Sequence, residues 1–307
     1  MKARIYKSTG SWYMAKAETG KMYNARIKGV FKIGGLTSTN PIAVGDEVDM
    51  QIEDVLEESA MIDTICDRKN YVARVSPHNK HQHHIIAANL DQSLLFATLK
   101  DPKTSQGFID RFLISCEAYH IPAIIVFNKS DLYKQKELDH FAHLQKIYSN
   151  IGYQVMLCSV EKNKGVKEIA ALLEGKTTLL SGHSGVGKST FINAVFPSLE
   201  LRTQEVSGWS GKGMHTTTFA EMFDLPTSGA IIDTPGIREL GLVDISKQEL
   251  AHYFPEMRAQ MGNCHFNNCM HIEEPGCAVK QALEQGEIAA DRYVSYLNIL
   301  TTMDAAH

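Results

Sequence analysis

Residues 182 to 189 read Gly182-His183-Ser184-Gly185-Val186-Gly187-Lys188-Ser189, the pattern G-x-x-x-x-G-K-[ST], between an apolar stretch ending at Leu180 and a helix-compatible run from Thr190 to Phe196. The chemistry of such a loop is phosphate binding. Its backbone N–H groups wrap the phosphates, which requires glycine, while Lys188 reaches the β- and γ-phosphates and Ser189 ligates Mg²⁺. Two shorter motifs extend it. Asp233-Thr234-Pro235-Gly236 follows the apolar Ala230-Ile231-Ile232, where a carboxylate holds Mg²⁺ through water and the Gly236 N–H meets the γ-phosphate. Asn128-Lys129-Ser130-Asp131 follows the apolar run Ala123 to Phe127. A carboxylate such as Asp131 accepts two hydrogen bonds from the N1 and N2 donors of guanine, which adenine does not offer, and Lys129 lies against the base. Each motif stands at the C-terminal end of a predicted strand, where α/β sheets bind ligands, so together they predict a guanine-nucleotide site and argue against an ATPase or kinase.

Further elements complete that set. Ser159, after the apolar Val155 to Cys158, stands where a fifth loop contacts guanine through backbone amides. The glycine-containing stretch Gly208 to Thr218 lies between the phosphate loop and Asp233 and reads as a switch, in which Thr216 or Thr217 ligates Mg²⁺ only when the γ-phosphate is present. Ile237 stands where signalling GTPases carry a water-orienting glutamine, and isoleucine cannot hydrogen-bond water. Intrinsic hydrolysis is therefore expected to be slow without a partner, and His215, beside the switch threonines, is the local candidate for a catalytic, water-positioning residue. The order of the motifs is itself informative: Asn128 to Asp131, Ser159, Gly182 to Ser189, Thr216/Thr217, then Asp233 to Gly236. An ordinary GTPase starts with the phosphate loop, so this chain is circularly permuted. The segment after Gly236 then leads straight out of the nucleotide-binding domain into the C-terminal region, where nucleotide state can act on it.

Near the C-terminus, Cys264-x4-Cys269-x-His271-x5-Cys277 offers three thiolates and an imidazole, the ligand set of a closed tetrahedral zinc site. With no ligand position left for water, such a metal is structural. His265 adjoins Cys264 too closely to share the first coordination sphere.

Positioning these groups requires strands that end at the motifs. Apolar strand candidates cover Leu94 to Leu99, Ala123 to Phe127, Val155 to Cys158, Thr177 to Leu180 and Ala230 to Ile232. Between them Leu138, Phe141, Leu144 and Tyr148, then Val166, Ile169, Leu172 and Leu173, recur at helical spacing. This alternation predicts a parallel α/β sheet. Before it, residues 1 to about 68 hold short alternating strands such as Ala25 to Phe31 and Glu47 to Ile52, broken by turn signals, which suggest a small β-barrel. After Leu240, residues 246–260 and 278–300 look helical around the cysteine cluster.

At 307 residues, with apolar residues at 44% and charged residues at 21%, the chain has the length and ordinary globular composition for two or three domains. No apolar run approaches the ~20 residues of a membrane span, and the Lys-containing start lacks a leader-like stretch, so a cytoplasmic protein is expected. The net charge of −4 conceals an uneven distribution. Residues 1–33 hold eight lysines and arginines against Glu18 alone, whereas residues 34–67 hold nine acids and no Lys or Arg. This suggests a two-faced domain, its basic side either meeting phosphate or forming a solvated strand face, with aromatics Tyr6, Trp12, Tyr13, Tyr23 and Phe31 interleaved among the cations in a composition suited to RNA and equally to barrel core.

The combination of Arg68-Lys69-Asn70 with Arg74, Ile86 to Gln92, Asn128 to Asp131, Gly182 to Thr190, His215 to Thr218, Asp233 to Arg238 and the Cys/Cys/His/Cys cluster resembles the bacterial RsgA (YjeQ/YloQ) family of circularly permuted, ribosome-stimulated GTPases. The resemblance implies a multidomain protein: an N-terminal OB-fold (1–68), a central permuted P-loop α/β G domain (69–240) and a C-terminal α-helical zinc-binding domain (241–307). It extends the nucleotide site through Thr190. It also implies late maturation of the small (30S) ribosomal subunit, contact with 16S rRNA rather than DNA or membrane, GTP hydrolysis stimulated by that subunit and coupled to release, and a monomer using one Zn²⁺ and Mg²⁺ with GTP. The fifth loop departs from the family at Val160, where a small residue is commoner. The rival readings are a permuted GTPase of the large subunit and an RNA-binding module with incidental hydrolysis.

Overall fold

The computed structural model describes residues 1–10, 12–27, 41–75, 83–199, 220–234, 242 and 245–304. Five strands form the N-terminal part: β1 (Lys2–Ser8), β2 (Tyr13–Ala17), β3 (Met22–Ile27), β4 (Glu47–Asp54) and β5 (Ser59–Ile65). They alternate, with Ala3, Ile5, Tyr13, Ala15, Tyr23, Ala25, Val48, Met50, Ala60 and Ile62 inward. Four of these ten are alanines, whose small side chains suit the narrow interior of a small barrel. Closure runs β1-β2-β3-β5-β4 and back to β1, with β3 and β5 parallel and Lys2 to Arg4 paired with Glu47 to Asp49. A hairpin of β6 (Tyr71–Val75) and β7 (His83–Ala88) follows and touches the barrel through Val44 and Ala87.

The nucleotide-binding body is built from β8 (Gln92–Ala97), α1 (Gln106–Ala118), β9 (Ala123–Phe127), α2 (Gln135–Asn150), β10 (Gln154–Leu157), α3 (Val166–Leu173), β11 (Thr177–Ser181), α4 (Lys188–Val195), β12 (Glu221–Asp224) and β13 (Ala230–Asp233). Strand order is β10-β9-β8-β11-β13-β12, parallel except for β12. Every residue of β8 is buried, as expected of a strand covered on both faces. Its Leu95 and Ala97 join a core with α1 and α2, while Leu94 and Phe96 join another with α3 and α4. All five strands anticipated from apolar runs are present within a residue or two of their expected limits. Strand β12 and helix α1 have no counterpart in the sequence reading, because neither carries a strong apolar period.

β12 is the join to the barrel. It pairs antiparallel with β1 at Lys7 and Glu221, making one continuous eleven-stranded sheet. Lys7 forms an ion pair with Glu221 at 3.1 Å, and Lys16 and Tyr6 both reach Asp224. Arg4 donates to the carbonyl oxygens of Gly45 and Asn89 and to Thr177 Oγ1. Lys21 pairs with Glu58 and Arg26 with Glu53. Thus most described cations of the basic N-terminal segment bind the chain's own acids or carbonyls. Tyr13 and Tyr23 are barrel core, Trp12 is exposed, and Lys28, Phe31 and Lys32 lie outside the described residues.

The C-terminal part comprises α5 (Lys247–Leu250), α6 (Pro255–Met261), α7 (Ala278–Glu284) and α8 (Ala290–Asp304). The expected helix over 246–260 is divided by a 3₁₀ turn at Ala251–Tyr253, and that over 278–300 breaks at Gly286, whose φ is +76°. Its core of Leu250, Phe254, Met257, Val279, Tyr296 and Ile299 includes Ile114 of α1. Beside it the Arg292 side chain, 1% exposed, donates to Asp110 of α1 and to Glu256 of α6, each at 2.6 Å, and lies over the Phe254 ring. Burial works against the guanidinium charge, but the two carboxylates outweigh it and hold its pKa above the ordinary arginine value. Truncating one member of such a buried group leaves the others uncompensated. Arg292→Leu is therefore expected to cost about 3–5 kcal/mol, read as a lower thermal midpoint, with loosening of the C-terminal helices ahead of the barrel in hydrogen exchange.

Candidate nucleotide site and metal centre

The loop after β11 turns where only glycine fits. Gly182 has φ +133°, and a Cβ there would lie 2.3 Å from the Phe96 carbonyl oxygen; at Gly187, φ +97°, a Cβ would lie 2.3 Å from Asn128 Nδ2. Gly187 is also the N-terminal cap of α4, so the helix N–H groups and the positive end of its dipole face the loop. Lys188 Nζ donates to the carbonyls of Gly182 (2.7 Å) and His183 (3.1 Å), which holds the ammonium across the loop. Burial pushes its pKa below the ordinary lysine value, against the pull of Asp233. Burial likewise raises Asp233 above the ordinary carboxylate range, against Lys188 and the Thr234 N–H. Both groups are thus short of the counter-charge that a polyphosphate with its divalent cation supplies, a donor set that fits Mg²⁺-nucleotide.

The loop after β9 is locked to it. Asn128 is buried, and its Nδ2 donates to the Val186 carbonyl at 2.9 Å. Its Oδ1 accepts from Val160 N (3.3 Å) and from the Cys158 thiol (3.2 Å). Burial pushes that thiol up to about 12, so it stays protonated and donates. Lys129 adopts φ +61° and its Nζ donates to the Asp101 carbonyl. Ser130 opens a 3₁₀ turn and donates its N–H to the Cys158 carbonyl at 3.0 Å. Asp131 is exposed at the rim and accepts from the Ser159 hydroxyl. The residues expected to meet guanine, 128–131 and Ser159, therefore converge beside residues 182–189. His215, Thr216, Thr217, Gly236 and Ile237 lie outside the described residues.

Two side chains that sequence reasoning missed support this arrangement. Tyr133 donates to the Asn128 carbonyl (2.7 Å) and accepts from Leu99 N (2.9 Å), bracing the β9 loop against the end of β8. Phe108, in the first turn of α1, stacks on the His183 ring at 3.8 Å. Neither carries a motif, so no local signal could have found them. A mixed-charge cleft of about 590 Å³, lined by Arg4, Lys69, Asp91, Lys176 and Asp224 among others, opens instead at the N-terminal ends of β11 and β13. It lies at the wrong end of the strands for the phosphate loop, and Lys69 is paired there with Asp91.

In the C-terminal part the donor atoms of Cys264, Cys269, His271 and Cys277 all lie within 4.8 Å of one another. That spacing suits a tetrahedral ion with thiolate and imidazole ligands. His271 Nδ1 faces the sulfurs of Cys264 (3.7 Å) and Cys277 (3.4 Å), and burial holds the imidazole below the usual histidine pKa, in the neutral form that ligates metal. Glu274 braces the loop by accepting N–H bonds from Met270, Ile272 and Glu273.

Comparison with known proteins agrees with the geometry. The profile described as RsgA N-terminal domain matches residues 2–60, and that described as RsgA GTPase matches residues 65–243. The chain belongs to the RsgA family of GTPases. It is 55% identical to the small ribosomal subunit biogenesis GTPase RsgA of Cytophaga hutchinsonii over 304 residues, 99% of each chain. It is 50% identical to the protein of that name from Christiangramia forsetii, over 98% of this chain and 96% of the relative. Among solved structures it resembles YjeQ from Thermotoga maritima, with a TM-score of 0.79, 32% identity and coverage of 98% and 97%. It also resembles YloQ, a circularly permuted GTPase, with a TM-score of 0.75, 31% identity and coverage of 100% and 96%. The permuted order read from the motifs is thus a family trait, and the chain is a GTP hydrolase.

Gly187→Ala forces a side chain onto Asn128 and strains φ, so GDP and GTP affinity in a fluorescent-nucleotide titration is expected to fall at least about tenfold, together with a lower thermal midpoint from about 1–3 kcal/mol of strain. Cys277→Ser removes one thiolate donor while leaving a side chain able to cap α7, and elemental analysis is expected to find the bound metal lost, with proteolysis beginning between residues 264 and 277.

Proposed function

We propose that this GTPase binds the small ribosomal subunit, assists its late maturation, and hydrolyses GTP when the subunit stimulates it, with hydrolysis coupled to release. The observation that carries this reading is that likeness to the small-subunit biogenesis GTPases runs through barrel, G domain and cysteine cluster together, over 98–99% of the chain. A shared G domain alone would speak only to nucleotide chemistry. The modules are residues 1–68, 69–240 and 241–307. The partner is the subunit with its 16S rRNA, and the protein works as a monomer in the cytoplasm. No helix among the described residues is long and apolar enough to cross a membrane.

Within the site, Asp131 reads the guanine edge, Lys129 lies along the base, Ser130 and Ser159 orient that loop, and residues 182–190 wrap the phosphates. Ser189, Asp233 and one of Thr216 and Thr217 hold Mg²⁺, which when bound neutralises charge on the β- and γ-phosphates. Gly236 meets the γ-phosphate through its N–H. His215 positions the attacking water, since Ile237 has no group to do so. The Cys264, Cys269, His271 and Cys277 set holds a structural Zn²⁺, because three thiolates and one imidazole leave no open position.

Turnover measured with purified small subunits, large subunits or neither tests the reading. A rise of about tenfold or more, equal to about 1.4 kcal/mol off the barrier, is expected with small subunits alone; no such rise overturns it. Asp131→Asn exchanges an acceptor for a donor and is expected to move nucleotide preference from guanine towards xanthine, measured as competition between GDP and XDP.

A further inference from the structure

The acidic half of the barrel takes no part in the nucleotide site, and its turn between β4 and β5 is unusual. Hairpin tips are normally built from polar and small residues. Here the tip is Val55-Leu56, 64% and 94% exposed, the two most exposed large apolar side chains among the described residues. Ile52 on β4 is exposed beside them.

The tip is held in one shape. Asp54 Oδ1 accepts from Leu56 N at 2.7 Å and from Glu57 N at 3.1 Å. Glu58 turns back with φ +52°, and its carbonyl accepts from Asn24 N at 2.8 Å. Two aliphatic side chains are therefore presented on a preorganised turn, which lowers the entropy lost when something covers them.

The surroundings decide what can cover them. Glu53, Asp54, Glu57 and Glu58 all lie within three residues of Leu56, and residues 41–67 contain nine acids with no lysine or arginine. Among the described residues, Arg26 and Lys21 from the neighbouring β3 side answer Glu53 and Glu58. The excess negative charge lies within a Debye length, about 8–10 Å, of the apolar tip. RNA phosphate and anionic lipid are both repelled there. A second copy of this chain, with net charge −4, offers no basic surround on balance.

We propose that the β4–β5 tip docks into an apolar pocket on a lysine- and arginine-rich protein of the small ribosomal subunit, not onto its RNA. This rests on the proposed binding to that subunit. Proteins that pack on rRNA carry cations to neutralise phosphate, so they have the charge that complements the rim of this tip. Leu56 supplies the apolar anchor, and Glu57 with its neighbours supplies the polar rim.

The test uses full-length protein with purified small subunits and a non-hydrolysable GTP analogue. A photo-crosslinking phenylalanine analogue at position 56 is irradiated and the products identified, and Leu56→Asp is compared with wild type in co-sedimentation. Expected are a crosslink to a basic ribosomal protein and about fivefold or greater weakening by Leu56→Asp, with subunit-free GTP turnover and thermal midpoint unchanged. A crosslink only to rRNA or to a second copy of the chain overturns the proposal. So does the absence of any crosslink together with undiminished binding of Leu56→Asp. Failure of wild type itself to co-sediment with small subunits is a separate result that removes the functional reading.

Discussion

The nucleotide site depends on one buried carboxamide. Asn128 spans the gap between the loop proposed to read the base and the loop proposed to wrap the phosphates, donating to Val186 and accepting from Val160 and Cys158. In a permuted chain these loops come in an unusual order, with residue 128 far ahead of residue 186, yet the distances they must keep are set by the nucleotide and not by the chain. A side chain with one donor end and one acceptor end satisfies both loops at once. Its own backbone is braced by Tyr133, so the three segments behave as a single rigid rim.

The C-terminal part is coupled to that rim through α1. Phe108 at the start of the helix stacks on His183 of the phosphate loop, Ile114 enters the C-terminal core, and Asp110 takes the buried Arg292. A buried ion group of this kind contributes little net stability relative to apolar residues of the same volume, but it permits only one docking geometry. The helix therefore ties the phosphate loop to the part of the molecule that carries the four metal-ligand candidates. This contact is additional to the covalent route that leaves Asp233 towards the C-terminus.

Charge gives the clearest difference between reading a chain and seeing it folded. The basic first 33 residues suggest a phosphate-binding face, yet Arg4, Lys7 and Lys16 face the G domain, and Lys21 and Arg26 answer acids of the β4–β5 turn and of β4. Much of the asymmetry is internal electrostatics that seats the barrel on β12. What has no cationic partner among the described residues is Asp54 and Glu57 at the β4–β5 turn, which the sequence showed as a bare count of acids.

The sequence by itself determined the chemistry of the site and the permuted order of its motifs. Phosphate loops, guanine-reading carboxylates and thiolate–imidazole sets depend on local residue types at short fixed spacings, and five apolar strand runs, four of them ending at those motifs, place them on a parallel sheet. Tertiary structure alone decided how the parts are joined. β12, α1, Tyr133, Phe108 and the Arg292 ion group carry no local pattern, because each is selected by a neighbour distant in sequence. Whether a cation is a docking tool for RNA or a strut within the chain depends on which acid lies opposite it, and only folding brings Glu221 to Lys7.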